Sequence, residues 1–310
     1  MRAVSWFVAI IPSAAKYHEV ERMLPQPPSS QPTETALLEL RDVSFAYAAK
    51  RAWSLRDTRR KGGTVEQISL ALGQQQAVAL VGESGSGKST IGRIVLGLVE
   101  PWRGQILIDG EDVTHLDRRK RRDLQRVVQL IFQNPLDALN PRMRLLDQVA
   151  EPAASLLQVE WPEARQIAAE AMNAVGLPSS TFIRYPAEIS GGQAQRAVIA
   201  RAITVKPKLL VCDEPVSALD VSVQAQIINL LSELNRNLGV ALLFITHDLR
   251  LVPYLCERGI VLNHGRIVEA GATQDLFRSP ASTYLKALLN AVPGHKGYAA
   301  APVNEGALGP

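Results

Sequence analysis

Cysteine is scarce in this sequence: Cys212 and Cys256 are its two cysteines among 310 residues. Each lies in an apolar stretch, and neither has metal-ligand spacing around it. We therefore expect no disulfide framework, and instead two reduced, buried thiols in a cytosolic protein.

Long apolar runs are also lacking. The first residues, MRAVSWFVAIIPSAAK, have the basic start and short apolar run of a secretory signal, but the run is too short to span a bilayer as a helix. Because the motifs further along the chain need cytosolic cofactors, we expect residues 1–36 to be a disordered leader and linker. The segment PQPPSSQPTET has linker composition, and a translation start at Met23 is a hypothesis that N-terminal sequencing would test.

Neither sign of charge dominates: 34 lysines and arginines face 30 aspartates and glutamates, for a formal net charge of +4. A surplus this small permits anionic partners such as nucleotides, nucleic acid or lipid headgroups without specifying any of them. With 46% apolar residues the chain can bury a large core. Its length fits one elaborate α/β domain or two small ones, so the motifs must decide.

The N-terminal third is rich in predicted strands. LLELRDVSFAY, from Leu37, alternates apolar and polar residues as a half-buried strand does, and GQILIDGEDV resembles a hairpin. VEQISLAL and AVALVG are also predicted strands, and the second is apolar on both faces, which favours a central place in a sheet. Residues 50–63 are basic and aperiodic, and we expect a surface loop there.

Helical patterns dominate from Leu116 to Gly176, where PEARQIAAEAMNAVGL has apolar residues at helical spacing and a glycine stop. Further on, the predicted strands KLLVC and GVALLFIT flank the helix VSVQAQIINLLSELNRN, and this βαβ order implies a parallel sheet. Residues 294–310 are small and Pro/Gly-rich, and they are predicted to form a disordered tail.

A glycine-rich motif follows the strand AVALV and opens a helix: Gly82-Glu83-Ser84-Gly85-Ser86-Gly87-Lys88-Ser89-Thr90. It matches G-x-x-x-x-G-K-[ST] in the strand-to-helix context that gives this pattern its meaning. Glycines let the backbone wrap so that its N–H groups face phosphate oxygens, and the helix N-terminus adds its positive dipole end. Because Lys88 can reach the β- and γ-phosphates and Ser89 can ligate Mg²⁺, the motif predicts a nucleotide site.

Two adjacent carboxylates end a second buried strand. In LLVCDEP, Asp213 and Glu214 stand where doubly wound folds place their ligands, at the carboxyl end of a parallel strand. We expect Asp213 to hold Mg²⁺, directly or through water, and Glu214 to polarise the attacking water as general base. The alternative is a solvated loop start, but a phosphate loop needs a metal-facing carboxylate and so favours the catalytic interpretation.

The order phosphate loop, ISGGQ, LLVCDEP, SALD and ITHD resembles the nucleotide-binding subunit of an ABC transporter, and the likeness extends from about Leu37 to Pro293. It implies an α/β fold of the P-loop NTPase (ABC ATPase) type, with a mixed central sheet, an antiparallel β subdomain and an inserted α-helical subdomain at about 134–184. It also implies a family C-terminal extension at about 270–293 and, as cofactors, ATP and Mg²⁺.

The same resemblance assigns further site residues. Gln133 matches the glutamine that touches the metal or the attacking water and reports the nucleotide state to the membrane subunits. Gln129 is the competing candidate for this role. The alternative for Gln133 is a surface amide without a catalytic role. His247 matches the histidine that contacts the γ-phosphate, and Asp220 matches a loop at the subunit boundary. Tyr47 matches the aromatic residue that stacks on adenine, although an aromatic residue in a strand often packs in a core.

Ser190, Gly191, Gly192 and Gln193 form a second anion-binding sequence at the start of a predicted helix. One nucleotide needs only one such cradle. In the family that this sequence resembles, these residues cap the γ-phosphate held by the opposing subunit. The resemblance therefore implies a second ABC ATPase subunit, either a sister chain or a second copy of this one, with ATP between the two.

Finer likeness, in FQNPLDALNPRM and GRIVEAGATQDLFRSPASTYLKALLNAVP, indicates the ATPases of oligopeptide, dipeptide and nickel importers. Three residues depart from the usual pattern: Ala187, Ile189 and Ala194 replace a histidine, a leucine and a basic residue. We expect weak effects, because the phosphate-facing serine and glycines remain. The cysteine cluster of some relatives is absent, so no iron–sulfur site is expected.

The expected function is that of an ATP-binding and ATP-hydrolysing subunit that powers import of peptides or a related small solute, such as a nickel chelate or an opine. Such a subunit is peripheral at the cytoplasmic face of the inner membrane, and its partners are two transmembrane permeases and, indirectly, an extracytoplasmic solute-binding protein. The alternative is a soluble ABC-type ATPase acting on nucleic acid or ribosomes, to which the basic residues 118–122 point. A charge run on a helix is usually solvated, so no nucleic-acid partner is expected.

Overall fold

The computed structural model describes residues 36–47 and 63–292. The expectations for the leader, for residues 50–62 of the basic loop and for the C-terminal tail concern residues that lie outside these ranges. Residue 63, expected to end the loop, is instead the first residue of a strand.

Ten strands are found in the described ranges. In chain order they are β1 (Leu38–Ala46), β2 (Gly63–Leu72), β3 (Ala77–Val81), β4 (Arg103–Ile108), β5 (Glu111–Asp112), β6 (Val128–Ile131), β7 (Leu209–Asp213), β8 (Ala241–Thr246), β9 (Arg258–Asn263) and β10 (Arg266–Ala272).

Four of the α-helices in the same ranges follow one another between β6 and β7. In chain order they are α1 (Lys88–Val95), α2 (Arg118–Val127), α3 (Pro135–Ala138), α4 (Leu145–Pro152), α5 (Trp161–Ala174), α6 (Gly191–Ile203), α7 (Val221–Leu238), α8 (Val252–Leu255), α9 (Thr273–Arg278) and α10 (Thr283–Asn290).

A four-stranded antiparallel sheet has the strand order β2-β1-β4-β5. In β1 and β4, buried residues alternate with more exposed ones over part of each strand because one face lies on the core, as the apolar alternation in β1 predicts. The predicted hairpin is confirmed: β4 and β5 pair across Asp109 and Gly110, and both turn residues have positive φ, 50° and 80°. Such φ values match the primed turns that favour hairpins.

A six-stranded sheet has the order β10-β9-β3-β8-β7-β6 and is parallel except for β10, which pairs antiparallel with β9. β3 and β8 are buried along their whole length, as strands covered on both faces must be. The βαβ unit β7-α7-β8 gives the predicted parallel pair. The carboxyl ends of β3, β6, β7 and β8 therefore share one edge of this sheet.

Two apolar clusters cover the two faces of the six-stranded sheet. Alternate residues of β3 take part in different clusters: Ala79 packs with helices α6 and α7 on one face, and Leu80 packs on the other face with α1 and the four-stranded sheet. The helix that follows the phosphate loop is thus enclosed between two sheets, with Ile91 and Ile94 fully buried. This enclosure fixes the loop against a rigid support.

The segment from Leu116 to Gly176 is less uniformly helical than its sequence pattern predicts. It contains the strand β6, which adds to the sheet beside β7. It also contains a π-helical turn, Ala153–Leu157, which follows Pro152 at the end of α4. Proline has no backbone N–H to continue the α-helical ladder, and this local disruption accompanies the wider turn.

Both cysteines are buried and unpaired, as predicted. Burial raises the pKa of each thiol, so both remain protonated at neutral pH. Across residues 36–47 and 63–292, no helix combines the length and the apolar character needed to cross a membrane.

Candidate nucleotide site

The glycine-rich loop connects the end of β3 to the start of α1, which begins at Lys88. Gly85 has a φ of 80°, and a Cβ placed there would meet no atom within 4 Å, so backbone conformation and not space requires glycine. At Gly82 a Cβ would lie 2.1 Å from the carbonyl oxygen of Leu262. The loop is thus a tight turn on the inside and open on the side that a ligand would occupy.

Lys88 lies inside this loop and is almost fully buried. Its Nζ donates hydrogen bonds to the carbonyl oxygens of Gly82 and Glu83, each at 2.7 Å. Burial lowers the pKa of this ammonium, while the nearby charges of Glu214 and Asp213 act in the opposite direction. A cation is therefore held within the loop, where it can interact with phosphate oxygens.

Ser86 contributes a second polar group to the loop. Its hydroxyl is buried and has no hydrogen-bond partner among the described residues. A buried hydroxyl without a partner is unfavourable, and a phosphate oxygen would satisfy it. Thr90, further along the motif, is buried on α1, whereas the side chains of Glu83 and Ser84 are exposed.

Ser89 and Asp213 meet although 124 residues separate them. The Ser89 hydroxyl donates to the Asp213 carboxylate at 2.9 Å, which joins the start of α1 to the end of β7. Burial raises the pKa of Asp213, and the hydrogen bond from Ser89 opposes that shift. Hydroxyl and carboxylate oxygens are ligands that Mg²⁺ prefers, so this pair fits the predicted metal site.

Glu214 connects three parallel strands. Its Oε2 accepts a hydrogen bond from Nε2 of Gln133, just beyond β6, at 3.1 Å. Its Oε1 lies 3.0 Å from Nδ1 of His247, just beyond β8. Glu214 thus contacts both of the other side chains predicted as catalytic, at the carboxyl edge of the sheet where ligands of open α/β sheets bind.

The backbone of Glu214 has a φ of 48°, a left-handed conformation that is uncommon outside glycine. Its N–H donates to the carbonyl oxygen of Ile245 on β8 at 2.9 Å. Strained backbone of this kind persists where surrounding contacts hold it, and it places the carboxylate between its two partners.

Tyr47 lies at the end of β1 and is 43% exposed. Its hydroxyl accepts a hydrogen bond from Arg93 of α1 at 3.0 Å, and its ring packs edge-on against Phe45 at 4.8 Å between centroids. A partly exposed ring beside the helix that follows the phosphate loop is compatible with the predicted adenine contact. Arg93 was not predicted, because its pairing depends on how β1 crosses α1.

Ser190, Gly191, Gly192 and Gln193 form a separate group at the start of α6. The Ser190 hydroxyl accepts from the Gln193 N–H at 3.3 Å, and the Gln193 side chain accepts from the Ser190 N–H at 3.0 Å. This reciprocal capping box defines the helix start. Within the described part of the chain, none of the hydrogen bonds of these four residues reaches the phosphate loop.

The neighbour of this group is the start of α7. A Cβ at Gly192 would lie 2.7 Å from Cγ1 of Val223, whereas a Cβ at Gly191 would make ordinary contact with Leu219 at 3.4 Å. Asp220 is exposed and precedes α7 without a side-chain cap. The signature glycines therefore lie against residues on either side of Asp220, Leu219 and Val223.

Tyr284 was not predicted as a site residue. Its hydroxyl accepts a hydrogen bond from the backbone N–H of Glu83 in the phosphate loop at 3.0 Å. The two residues are 201 positions apart, and no local pattern signals the contact.

The fold and this set of side chains define a P-loop ATPase. A family model described as ABC transporter matches residues 65–217. An oligopeptide transport ATP-binding protein of Lactococcus lactis is 40% identical over 257 residues, 83% of this chain and 80% of that protein. The chain belongs to the ABC transporter family, as one of its ATP-hydrolysing cassettes.

Further relatives agree. A Brucella ovis protein assigned by name to peptide import is 45% identical over 261 residues, 84% of this chain and 80% of that protein. A solved dimeric ATP-binding cassette, in a post-hydrolysis state with ADP and Pi, has a TM-score of 0.67 at 27% identity and covers 76% of this chain and 98% of its own. The cassette cbiO1 of Clostridium perfringens has a TM-score of 0.68 over 83% of this chain and 94% of its own, and at 24% identity that likeness concerns the fold alone.

Proposed function

We propose that this chain is the ATP-binding and ATP-hydrolysing subunit of an importer for peptides or a related small solute. The observation that carries the proposal is the contact of Glu214 with both Gln133 and His247, beside the Ser89–Asp213 pair. The peptide-transport names of relatives that are 40% and 45% identical over most of this chain support the substrate class. They do not favour an ATPase acting on nucleic acid.

In this proposal, residues 82–90 bind the phosphates of ATP, with Lys88 and Ser86 as the side-chain donors. Tyr47 stacks on the adenine ring. Ser89 and Asp213 would hold Mg²⁺, with Gln133 contributing directly or through water. When bound, Mg²⁺ supplies positive charge against the phosphate oxygens.

Glu214 is the proposed general base. Each of its carboxylate oxygens engages one partner, which leaves lone pairs free to take a proton from the attacking water. The ring of His247, whose Nδ1 lies 3.0 Å from Glu214, would donate an N–H to a γ-phosphate oxygen. Gln133 orients the carboxylate through its amide.

The second half of the site comes from another subunit. We infer that Ser190, Gly191, Gly192 and Gln193 contact the γ-phosphate held by the partner, with Asp220 at the same boundary. About three charge-assisted contacts at each of two sites, at about 1.5–3 kcal/mol each, give about 9–18 kcal/mol gross. Association itself costs about 4–15 kcal/mol, so the dimer closes with ATP and opens once the γ-phosphate is lost.

The permease contact is proposed at an exposed apolar groove beside Gln133. Leu98 and Phe132, which are 55% and 44% exposed, line it together with Leu130 and Leu156. Exposed apolar surface of this kind marks interaction sites. Two permeases at such grooves would place the subunit at the cytoplasmic face of the membrane, and an extracytoplasmic solute-binding protein would deliver the cargo.

The Glu214→Gln variant tests the catalytic part of this proposal. Because the amide cannot take a proton, we expect turnover to fall by about 10²–10⁴-fold while ATP still binds. Light scattering during gel filtration with ATP should then find a long-lived dimer. Glu163→Gln, on the exposed side of α5, is the matched control and should behave as the wild type. Unchanged turnover in Glu214→Gln would contradict the assignment.

The substrate class is tested by uptake. Deleting this gene in the source organism should abolish uptake of labelled oligopeptides, and the wild-type gene should restore it. Restoration by Glu214→Gln would contradict the requirement for hydrolysis. If the deletion strain takes up peptides normally but no longer takes up a nickel chelate, the importer assignment stands and the proposed substrate changes from peptides to the nickel chelate.

A further inference from the structure

The phosphate loop donates a hydrogen bond to the C-terminal helix α10. The Glu83 backbone N–H donates to the Tyr284 hydroxyl at 3.0 Å. We propose that Tyr284 is a positioning residue, through which α10 holds the phosphate loop in the conformation that binds ATP. This inference rests on the proposed ATP site.

The first half of the loop needs such a support. Glu83, Ser84 and Gly85 are exposed, whereas Ser86, Gly87 and Lys88 are buried. Exposed backbone with few contacts is the part of a structure that opens most easily. A hydrogen bond at Glu83 therefore acts in the exposed half of the loop.

The other contacts of Glu83 involve its carbonyl oxygen. That oxygen accepts from Nζ of Lys88 at 2.7 Å and from the Ser86 N–H at 3.2 Å. When Lys88 turns to the phosphates of ATP, the carbonyl loses its charged donor. The Tyr284 hydroxyl holds the N–H of the same residue, and this contact does not compete with the nucleotide for Lys88.

The helix that carries Tyr284 is itself anchored. Leu285 and Leu289 of α10 are buried in the main core cluster. The backbone N–H groups of Ala281 and Ser282 both donate to the Glu269 carboxylate on β10 at 2.8 Å, and the Ser282 hydroxyl caps the helix at Leu285. The hydroxyl of Tyr284 is therefore presented from a fixed support.

The acceptor remains neutral. Partial burial raises the pKa of the Tyr284 phenol, and the hydrogen bond from Glu83 opposes that shift. The phenol thus keeps its proton throughout the physiological range, and the contact is a bond between neutral groups.

The Tyr284→Phe variant removes the acceptor and keeps the ring. We expect ATP to bind about 3- to 10-fold more weakly and the KM for ATP to rise by a similar factor, because a neutral hydrogen bond contributes about this much. Turnover at saturating ATP should stay within about twofold of the wild-type value, because the phosphates of bound ATP also restrain the loop. The melting temperature should equal that of the wild type. Thr283→Val, which deletes an exposed hydroxyl from the same helix α10, is the control and should leave all three unchanged.

Hydrogen exchange gives a readout that ordinary destabilisation would not move. In the wild-type protein the Glu83 amide should exchange slowly although its side chain is exposed, and in Tyr284→Phe it should exchange faster while the core strands keep their protection. Fast exchange in the wild type overturns the proposal, whether or not the variant folds. The proposal is also overturned if a folded Tyr284→Phe variant binds ATP with wild-type affinity. A parallel loss of melting temperature and turnover in this variant would overturn it as well.

Failure of the ATP site itself has a different signature. If the wild type binds no ATP, or if Lys88→Ala binds it equally well, the proposed function fails. If Lys88→Ala loses ATP and Tyr284→Phe does not weaken its binding, only the role of Tyr284 fails.

Discussion

The phosphate loop and the start of α6 are both glycine-rich approaches to a helix, yet they differ in how they are held. The phosphate loop is bonded to distant parts of its own chain, through Ser89 to Asp213 and through Glu83 to Tyr284. The start of α6 is bonded to itself, through the reciprocal contact of Ser190 with Gln193. The phosphate loop is thus held by contacts within its own chain, whereas the start of α6 is exposed to the proposed partner.

The glycines differ in the same way. Gly82 has no room for a side chain, because its Cβ would meet the Leu262 carbonyl. Gly191 has room, and its backbone does not require positive φ, so nothing within the described chain demands glycine there. Alanine would even be the better helix former at this position. A glycine that its own fold does not need is consistent with close approach of a ligand from outside.

The largest expected effect is on ATP binding by the phosphate loop. Lys88→Ala removes about two charge-assisted contacts to phosphate, at about 1.5–3 kcal/mol each, and should weaken ATP binding by about 10²–10⁴-fold. Titration calorimetry with ATP measures it. Lys120→Ala on the exposed basic helix is the control. A loss of less than about tenfold would remove Lys88 from the centre of the site.

The second prediction distinguishes the roles of Gly191 and Gly192 at the start of α6. Gly191→Ala should leave ATP binding to the monomer and the melting temperature unchanged, while ATP-dependent dimerisation of a Glu214→Gln background weakens by about 10- to 100-fold. The reason is that a methyl group would displace the partner's phosphate from the helix N–H groups. Analytical ultracentrifugation with ATP measures the dimer.

Gly192→Ala is the contrasting variant. Its Cβ would collide with Val223, and overpacking of this kind costs about 1–3 kcal/mol, of which better helix propensity returns at most about 1 kcal/mol. We expect a lower melting temperature, restored by Val223→Ala. If Gly191→Ala were also destabilised as a monomer, the distinction between the two positions would be wrong.

The smallest expected effect concerns the support of the phosphate loop. Partial burial alone would raise the pKa of Glu269, but the hydrogen bonds from Ser282 and Ala281 lower this pKa below its usual value. A lowered folded pKa gives stability that is present above the unfolded pKa and is lost as pH falls through the folded value. Urea unfolding between about pH 6 and 3 should therefore show a shallower acid-induced loss in Glu269→Gln than in the wild type. Equal slopes, or the same change in Glu233→Gln on α7, would contradict this.

The fold type and the adjacent-residue motifs could be predicted from the sequence. β3, the phosphate loop and α1 follow one another, so strand, glycines and lysine could be placed together from local rules alone. The roles expected of Glu214, Gln133 and His247 came from a resemblance, and their strands end at one edge of the sheet, where Glu214 contacts the other two. The individual roles of these residues stay predictions.

The parts that sequence could not give depend on tertiary geometry. β6 is a four-residue strand between helices, and its register with β7 decides its state more than its own pattern does. The left-handed backbone at Glu214 is imposed by its neighbours on β8. The pairing of Tyr284 with Glu83 spans 201 positions, because it depends on how α10 docks against the core.

The two buried, protonated thiols have a practical consequence for labelling. Thiol reagents react with accessible thiolate, which Cys212 and Cys256 do not offer in the folded chain. A single cysteine introduced at exposed Ser190, and another at exposed Ser84, could therefore be alkylated or cross-linked without first removing the native pair. Nucleotide-dependent cross-linking between those two positions on separate polypeptides would then report the geometry of assembly in the otherwise unaltered protein.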